Sequence, residues 1–294
     1  MSPVGTRWDI GKQIIFCTIS AQAPPPRNLH PYFVTGFTDG EWCFYISLNR
    51  RISNKSDWNV LHGFSILINE KDGYLLQEIK LFFGVGNIRR VSNNKLEYRV
   101  SSVKDLINLI IPHFDKYPLL TKKQADFILF KSAIYLISQR KHLTKSGIDK
   151  LVSIKASMNR GLSPVLMNYF PAVVPVKRPV VETLKINDPN WLSGFTNAEA
   201  CFYVSVVTSK TKIGYAVHLW FILTQHSRDI ALFEVIKKYL HCGNLTIKTQ
   251  NSVVIYKVSK FADNFNVIIP FFFEISFSWC KKKKILQIFV KLLT

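Results

Sequence analysis

The sequence predicts an α+β fold in which one αββαββα unit occurs twice, as tandem pseudo-two-fold repeats each folding antiparallel sheet. Three observations carry this. An internal repeat keeps its register over about eighty positions, apolar side chains alternate with period two after the first helix of each copy, and turn residues recur at matching places.

The repeat comes first because it sets the architecture. YFVTGFTDGEWCFYISL at 32–48 matches WLSGFTNAEACFYVSVV at 191–207, with Gly36 opposite Gly194 at an offset of 158. GFSILINEKD then meets WFILTQHSRD, GNIRRV meets GNLTIK, LEYRVSS meets VIYKVSK and LIIPHF meets VIIPFF, all in the same order. Offsets of 157 for Gly86 to Gly243 and 158 for Pro112 to Pro270 confine the slips to expected turns.

Within a unit, an apolar helical segment ends in an acid. Alternation follows: Phe44, Ile46 and Leu48 share one face, and Cys43, Tyr45, Ser47 and Asn49 the other, which predicts a strand. A second run (Phe64, Ile66, Ile68) leads into a helix expected over Asp72 to Phe83. A hairpin across Asn93-Asn94 comes next, then a helix expected to end near Pro112. The boundaries expected from this reading are an unstructured leader at 1–28, a first repeat at 29–140, a helix and proline-rich linker at 141–188 and a second repeat at 189–294. Pro164, Pro171, Pro175, Pro179 and Pro189 space the linker and favour extended chain.

Composition narrows function. The 294 residues are 48% hydrophobic, enough for a substantial core, and 39 basic residues against 19 acidic ones give a net charge of +20. A charge of that size points to a polyanionic partner, nucleic acid first. Apolar runs such as LINLIIPHF and NVIIPFFFEI fall well short of the ~20 residues that span a bilayer, so no membrane role is expected. Five cysteines with no CxxC pair suggest neither a zinc site nor a disulfide framework.

GFTDGEWCF (36–44) and GFTNAEACF (194–202) resemble the two motifs of the single-chain LAGLIDADG homing endonucleases. GNI/GNL, YRVSS, LTKKQADF and KASMN fit the fungal mitochondrial branch of that family. The resemblance covers residues 30 to 270 and implies a monomeric, intron-encoded nuclease of the mitochondrion. Such an enzyme binds a long, non-palindromic double-stranded DNA target and cuts it with divalent metal, Mg²⁺ or Mn²⁺. Glycine in mid-helix costs about 1 kcal/mol against alanine, so Gly36 and Gly194 are expected where two helix backbones approach closely.

That packing would bring together Glu41 and Glu199, the catalytic acids the resemblance implies, each at a helix C-terminus. Carboxylates beside free helix-end carbonyls suit a hard cation, with the carbonyls of Gly40 and Ala198 as further donors. Asp39 and Asn197 mismatch and are read as structural. Gln225 matches a family position that orders water at the scissile phosphate, and its first-unit counterpart falls at Ile68 or Asn69.

A saddle of two sheets is expected to read DNA through the face opposite the core. In the first unit that face carries Tyr45, Ser47, Asn49, Arg51, Ser65, Arg89, Lys95 and Arg99. In the second it carries Tyr203, Ser205, Ser209, His218, Thr224, Thr246, Lys248 and Lys257. Other nuclease signatures are absent: Glu78-Ile79-Lys80 lies in an expected helix, the seven histidines do not cluster, and no P-loop occurs. Two alternatives use the same scaffold, an RNA maturase assisting splicing of a host group I intron and a copy that binds DNA without cutting. Three departures bear on the second: Trp42 and Ala200 replace a glycine common in the family just after each acid, and by eye the repeat fades after Phe272, as if the C-terminus were truncated. The second half is therefore expected to be the less stable.

Overall fold

In a computed structural model the described residues are 29–51, 57–182, 185–210, 212 and 214–276. The expected leader at 1–28, the side chain of Trp42 and the chain after 276 lie outside them. Helix α1 (Pro31–Glu41) passes directly into β1 (Trp42–Arg50), which pairs antiparallel with β2 (Trp58–Asn69). After a 3-10 turn come α2 (Gly73–Phe83), β3 (Asn87–Ser92) and β4 (Lys95–Val100), closing a sheet of order β1-β2-β4-β3. Helices α3 (Val103–Asp105), α4 (Ile111–Lys116), α5 (Lys123–Ser138), α6 (Lys145–Ala156) and α7 (Pro164–Tyr169) follow.

The second unit repeats the plan. It comprises α8 (Pro189–Glu199), β5 (Ala200–Thr208), β6 (Tyr215–His226), α9 (Ile230–Leu240), β7 (Asn244–Lys248), β8 (Val253–Val258), α10 (Phe261–Asp263) and α11 (Ile269–Ser276). Its sheet order, β5-β6-β8-β7, is the same.

Alternation decides which face is buried. Phe44, Ile46, Leu48, Phe64, Ile66, Tyr98 and Val100 all point into the first core, where Phe44 stacks on Phe130 with centroids 4.7 Å apart and meets Phe114 edge-on. Phe202, Phe221, Leu223, Tyr256 and Val258 do the same in the second, against Phe272. Gly84 ends α2 in the left-handed region (φ 69°), and its N–H donates to the Lys80 carbonyl, so the helix stops where glycine carries no Cβ penalty.

One expectation is corrected. The helix expected to end near Pro112 runs on to Lys116, through a π turn at Leu106–Ile110 just ahead of the proline. A proline inside a regular α-helix removes a hydrogen bond and clashes with the carbonyl four residues back, and a wider turn there accommodates both defects. Pro270 sits identically after a π turn at Asn264–Ile268.

The proline-spaced segment returns along the first unit. Val176 N–H donates to Ser153 O at 3.2 Å, and Arg178 forks onto Asp126 at 2.7 and 2.9 Å while also reaching the Ser157 carbonyl. Asp126 is almost fully buried, so this guanidinium supplies the counter-charge its burial requires.

Candidate active site

Helices α1 and α8 pack face to face, and both motif glycines stand at the crossing. A Cβ on Gly36 would lie 2.8 Å from the Trp191 carbonyl carbon and 2.9 Å from Phe195 N; on Gly194 it would lie 2.7 Å from Phe37 N and 2.9 Å from the Phe33 carbonyl carbon. Backbone cannot retreat as a side chain can, so only glycine permits this approach. Glu41 and Glu199 are the last residues of the two helices, and both are half-buried.

The groups around Glu199 are resolved in detail. Gln225 Nε2 donates to Glu199 Oε1 at 3.1 Å. Gln225 sits on the helix-covered face at the end of β6, one step beyond buried Leu223, and its orientation follows from the strand period. Because Tyr98 pairs with Ile66 and Tyr256 with Leu223, the first-unit counterpart of Gln225 is Ile68, which is buried and has no polar group. The polar environment is therefore unequal at the two acids.

Asp39 is buried and accepts several hydrogen bonds. Its Oδ1 accepts from Thr121 N–H and Thr121 Oγ1 (3.2 and 2.6 Å), and its Oδ2 from Leu120 N–H and the Trp191 indole (2.9 and 2.8 Å). Full burial raises its pKa to about 6, with the Thr121, Leu120 and Trp191 hydrogen bonds acting against the rise. It ties α1 to the loop before α5 and, through Trp191, to α8 of the other unit. Asn197, its repeat mate, donates from Nδ2 to Ser193 O of its own helix (3.4 Å).

The loop that Asp39 holds delivers Lys123. Its ammonium donates to the Gly40 carbonyl at 2.6 Å, and Lys122 N–H donates to Asp229 of the second unit at 2.7 Å. Desolvation pushes the Lys123 pKa below the usual lysine value, opposed by the negative charges of Asp39, Glu199 and Asp229. Reading the sequence left Lys123 unassigned although it lies in LTKKQADF. Its one signal was position, a lysine opening an amphipathic helix, which does not separate it from 38 other basic residues.

A divalent ion fits these donors by chemistry. Glu41, Glu199 and the helix-end carbonyls are hard oxygen ligands, and the Gly40 carbonyl already solvates a cation, the Lys123 ammonium. Among the described residues no group of three or more His, Cys, Asp or Glu gathers to hold a metal, so at this site carboxylates and backbone carbonyls would have to share the role.

The open sheet faces carry most of the residues expected there. Tyr45, Ser47, Asn49, Ser65, Lys95, Arg99 and Arg89 share the face opposite the first core, by the pairings Cys43 to Ser65, Ser65 to Arg99 and Arg89 to Glu97. Arg51 lies just past the end of β1. In the second sheet Tyr203, His218, Thr224, Thr246, Lys248 and Lys257 share the equivalent face. Two expected residues are placed differently: Ser205 is on that face but only 6% exposed, and Ser209 lies beyond β5, its N–H donating to the Gly214 carbonyl in the turn. Trp220, which the sequence reading passed over, stacks on Tyr203 (5.1 Å) and under the Lys257 ammonium (3.5 Å). No helix among the described residues is long and apolar enough to cross a membrane.

Comparison with known proteins adds to this geometry. A family profile described as "LAGLIDADG endonuclease" matches residues 34–134 and 192–291. The second region thus continues well past Phe272, where the repeat fades by eye. "Probable intron-encoded endonuclease 2" of Neurospora crassa is 36% identical over 257 residues, 83% of this chain and 56% of its own length. The chain thus spans little more than half of that relative. The I-SmaMI LAGLIDADG homing endonuclease bound to cleaved DNA superposes with a TM-score of 0.87 at 37% identity, over 90% of this chain and 89% of its own. I-SmaMI bound to an uncleaved DNA target in the presence of calcium ions gives 0.83 at 38%, over 90% and 94%.

Proposed function

The chain belongs to the LAGLIDADG endonuclease family, and from that premise we propose that it is a site-specific DNA endonuclease, acting as a monomer that cuts both strands of a long, non-palindromic target. The observation that carries this is the pair of glycine-tight helices that end together on Glu41 and Glu199, with Lys123 and Gln225 directed at the same place. Units at 29–140 and 189–294, joined by 141–188, supply one acid each, so no second copy is needed. An intron-borne gene accords with the relative's name, and a mitochondrial location with the resemblance to the fungal mitochondrial branch of the family.

Glu41 and Glu199, with the carbonyls of Gly40 and Ala198, would hold Mg²⁺ or Mn²⁺; such an ion supplies Lewis-acid stabilisation of the phosphate and a more acidic water. The protein's own groups do the rest. Gln225 orients the Glu199 carboxylate through Nε2 while its Oε1 accepts from the His226 N–H at 3.0 Å, which leaves the second Nε2 hydrogen for solvent at the scissile phosphate. Lys123, whose charged form burial disfavours and the carboxylates of Asp39, Glu199 and Asp229 favour, is placed to offset negative charge developing on the phosphate. The surplus of lysine and arginine holds the duplex backbone and makes affinity fall steeply with salt.

Glu41→Gln and Glu199→Gln test the reading. Each is expected to abolish double-strand cleavage of a selected target while leaving binding intact, and retained cleavage by either places the chemistry elsewhere. Assistance to splicing of a host intron RNA is the second reading, supported by the +20 charge. Splicing stimulation in vitro without DNA cleavage would favour it.

A further inference from the structure

The two sheet faces proposed to read DNA differ in chemistry. The first is polar and charged: Asn49, Asn59, Lys95, Glu97, Arg99 and Arg89 project from it, with two leucines, Leu61 and Leu67, among them. Arg89 pairs with Glu97 at 2.6 Å, and the Arg99 guanidinium lies 4.9 Å from the Tyr45 ring, whose hydroxyl fills the space beside Gly63.

On the second face Arg99 and Arg89 keep polar counterparts in Lys257 and Thr246, and Leu61 and Leu67 are matched by His218 and Thr224, but Asn49, Asn59, Lys95, Glu97, Gly63 and Ser65 are matched by six apolar residues, Val207, Ala216, Val253, Ile255, Trp220 and Ile222. The pairings Val207 to Ala216, Tyr203 to Trp220, Ile222 to Lys257 and Thr224 to Ile255 set them on one side. Their neighbours Phe221, Leu223 and Val254 face the core, and none of the six joins either core. Trp220 takes the place of Gly63, so where the first sheet has the Tyr45 hydroxyl over a bare backbone the second has a flat ring capped by Lys257.

Apolar side chains on a face that also bears Lys248 and Lys257 can find one apolar group on a duplex major groove, the 5-methyl of thymine. Hydrogen-bonding side chains instead read the donor and acceptor edges of purines and cytosine. We propose that the two halves of the protein read DNA by different chemistries: the first unit by hydrogen bonds to base edges, the second by packing Ile222, Ile255 and Trp220 against thymine methyls. The inference rests on the endonuclease reading and adds to it that the half-site under the second unit is thymine-rich. It also bears on RNA, which carries uracil and whose major groove is too deep and narrow for side chains to read.

The test uses the full chain and duplexes selected from a randomised pool, with binding measured by competition at fixed salt. Deoxyuridine replaces thymidine in one half-site at a time, which removes the methyls and nothing else. Burial of one methyl corresponds to about a fourfold change in affinity. Uracil in one half is expected to weaken binding about fourfold per contacted methyl, and in the other half less than twofold. In the Ile222→Ala/Ile255→Ala variant the penalty should contract to under twofold, which also identifies the half involved. Equal penalties in the two halves, or none in either, overturn the inference while leaving specific DNA binding standing. Failure to select any preferred duplex, or tighter binding of RNA of the same sequence, overturns the endonuclease reading and this inference together. The wild-type comparison keeps the test decisive should the variant fold poorly.

Discussion

Gly36→Ala is a one-methyl change at the point where the two units meet. The new Cβ would sit 2.8 Å from the Trp191 carbonyl carbon, closer still to its oxygen, and 2.9 Å from Phe195 N, where ordinary contact begins at 3.4 Å. Because the oxygen is the nearest atom, more than 1 Å must open between two helix backbones, and neither has a side chain that could swing aside. Opening a packed contact by even 0.5–1 Å forfeits about a quarter to a half of its dispersion energy, and overpacking of this kind costs about 1–3 kcal/mol or more. Alanine's helix propensity returns about 1 kcal/mol, so a net loss near 2 kcal/mol is expected, with a Tm about 4–8 °C lower. The functional effect should be larger, because Glu41 and Glu199 end these same helices and a misplacement near 1 Å costs about 100-fold in rate. Urea unfolding and single-turnover cleavage measure the two effects. A Gly36→Ala protein as stable and as active as the parent would refute the close helix approach, and with it the shared site.

Lys123→Met keeps the stem and removes the charge; cleavage should fall about 10²–10³-fold with DNA affinity nearly unchanged, and a loss under fivefold would remove Lys123 from the chemistry. Arg178→Met leaves the buried Asp126 carboxylate without its counter-charge and should cost about 3 kcal/mol in urea unfolding, with part recovered when Asp126→Asn is added. His113 is packed against Phe82, Phe83 and Phe114, and burial lowers its pKa to about 3. The unfolded chain therefore takes up this proton first, and stability is lost as pH falls below about 6.5, by roughly 2 kcal/mol between pH 7 and 5. Asp39, raised to about 6, acts in the opposite sense over the same window, so the comparison of parent with His113→Phe isolates the histidine. Identical pH profiles for the two proteins would show that His113 is not held neutral.

Much of this molecule is legible in its residues because its signals are local and occur twice. Period-two alternation at Phe44, Ile46 and Leu48 is enough to assign a strand and its buried face, and the same pattern at Phe202 confirms the register. The motif acids are legible for a similar reason: each follows its glycine at the same spacing on the same helix. Pro112 misled because a proline stops an α-helix on local grounds, whereas the π turn that carries the helix past it is retained by packing of Leu106 and Ile110 in the core.

What the chain determined by itself was the duplicated α+β plan, its two faces and the two acids, since those follow from the order of apolar and polar residues along short segments. What only the tertiary structure decided was which distant groups gather around the helix ends that carry those acids. Lys123 reaches Gly40 across 83 residues, and Asp39 joins Thr121 in its own unit to Trp191 in the other. Such contacts depend on how whole helices dock, and docking is set by the summed shape of two cores rather than by any local run of residues.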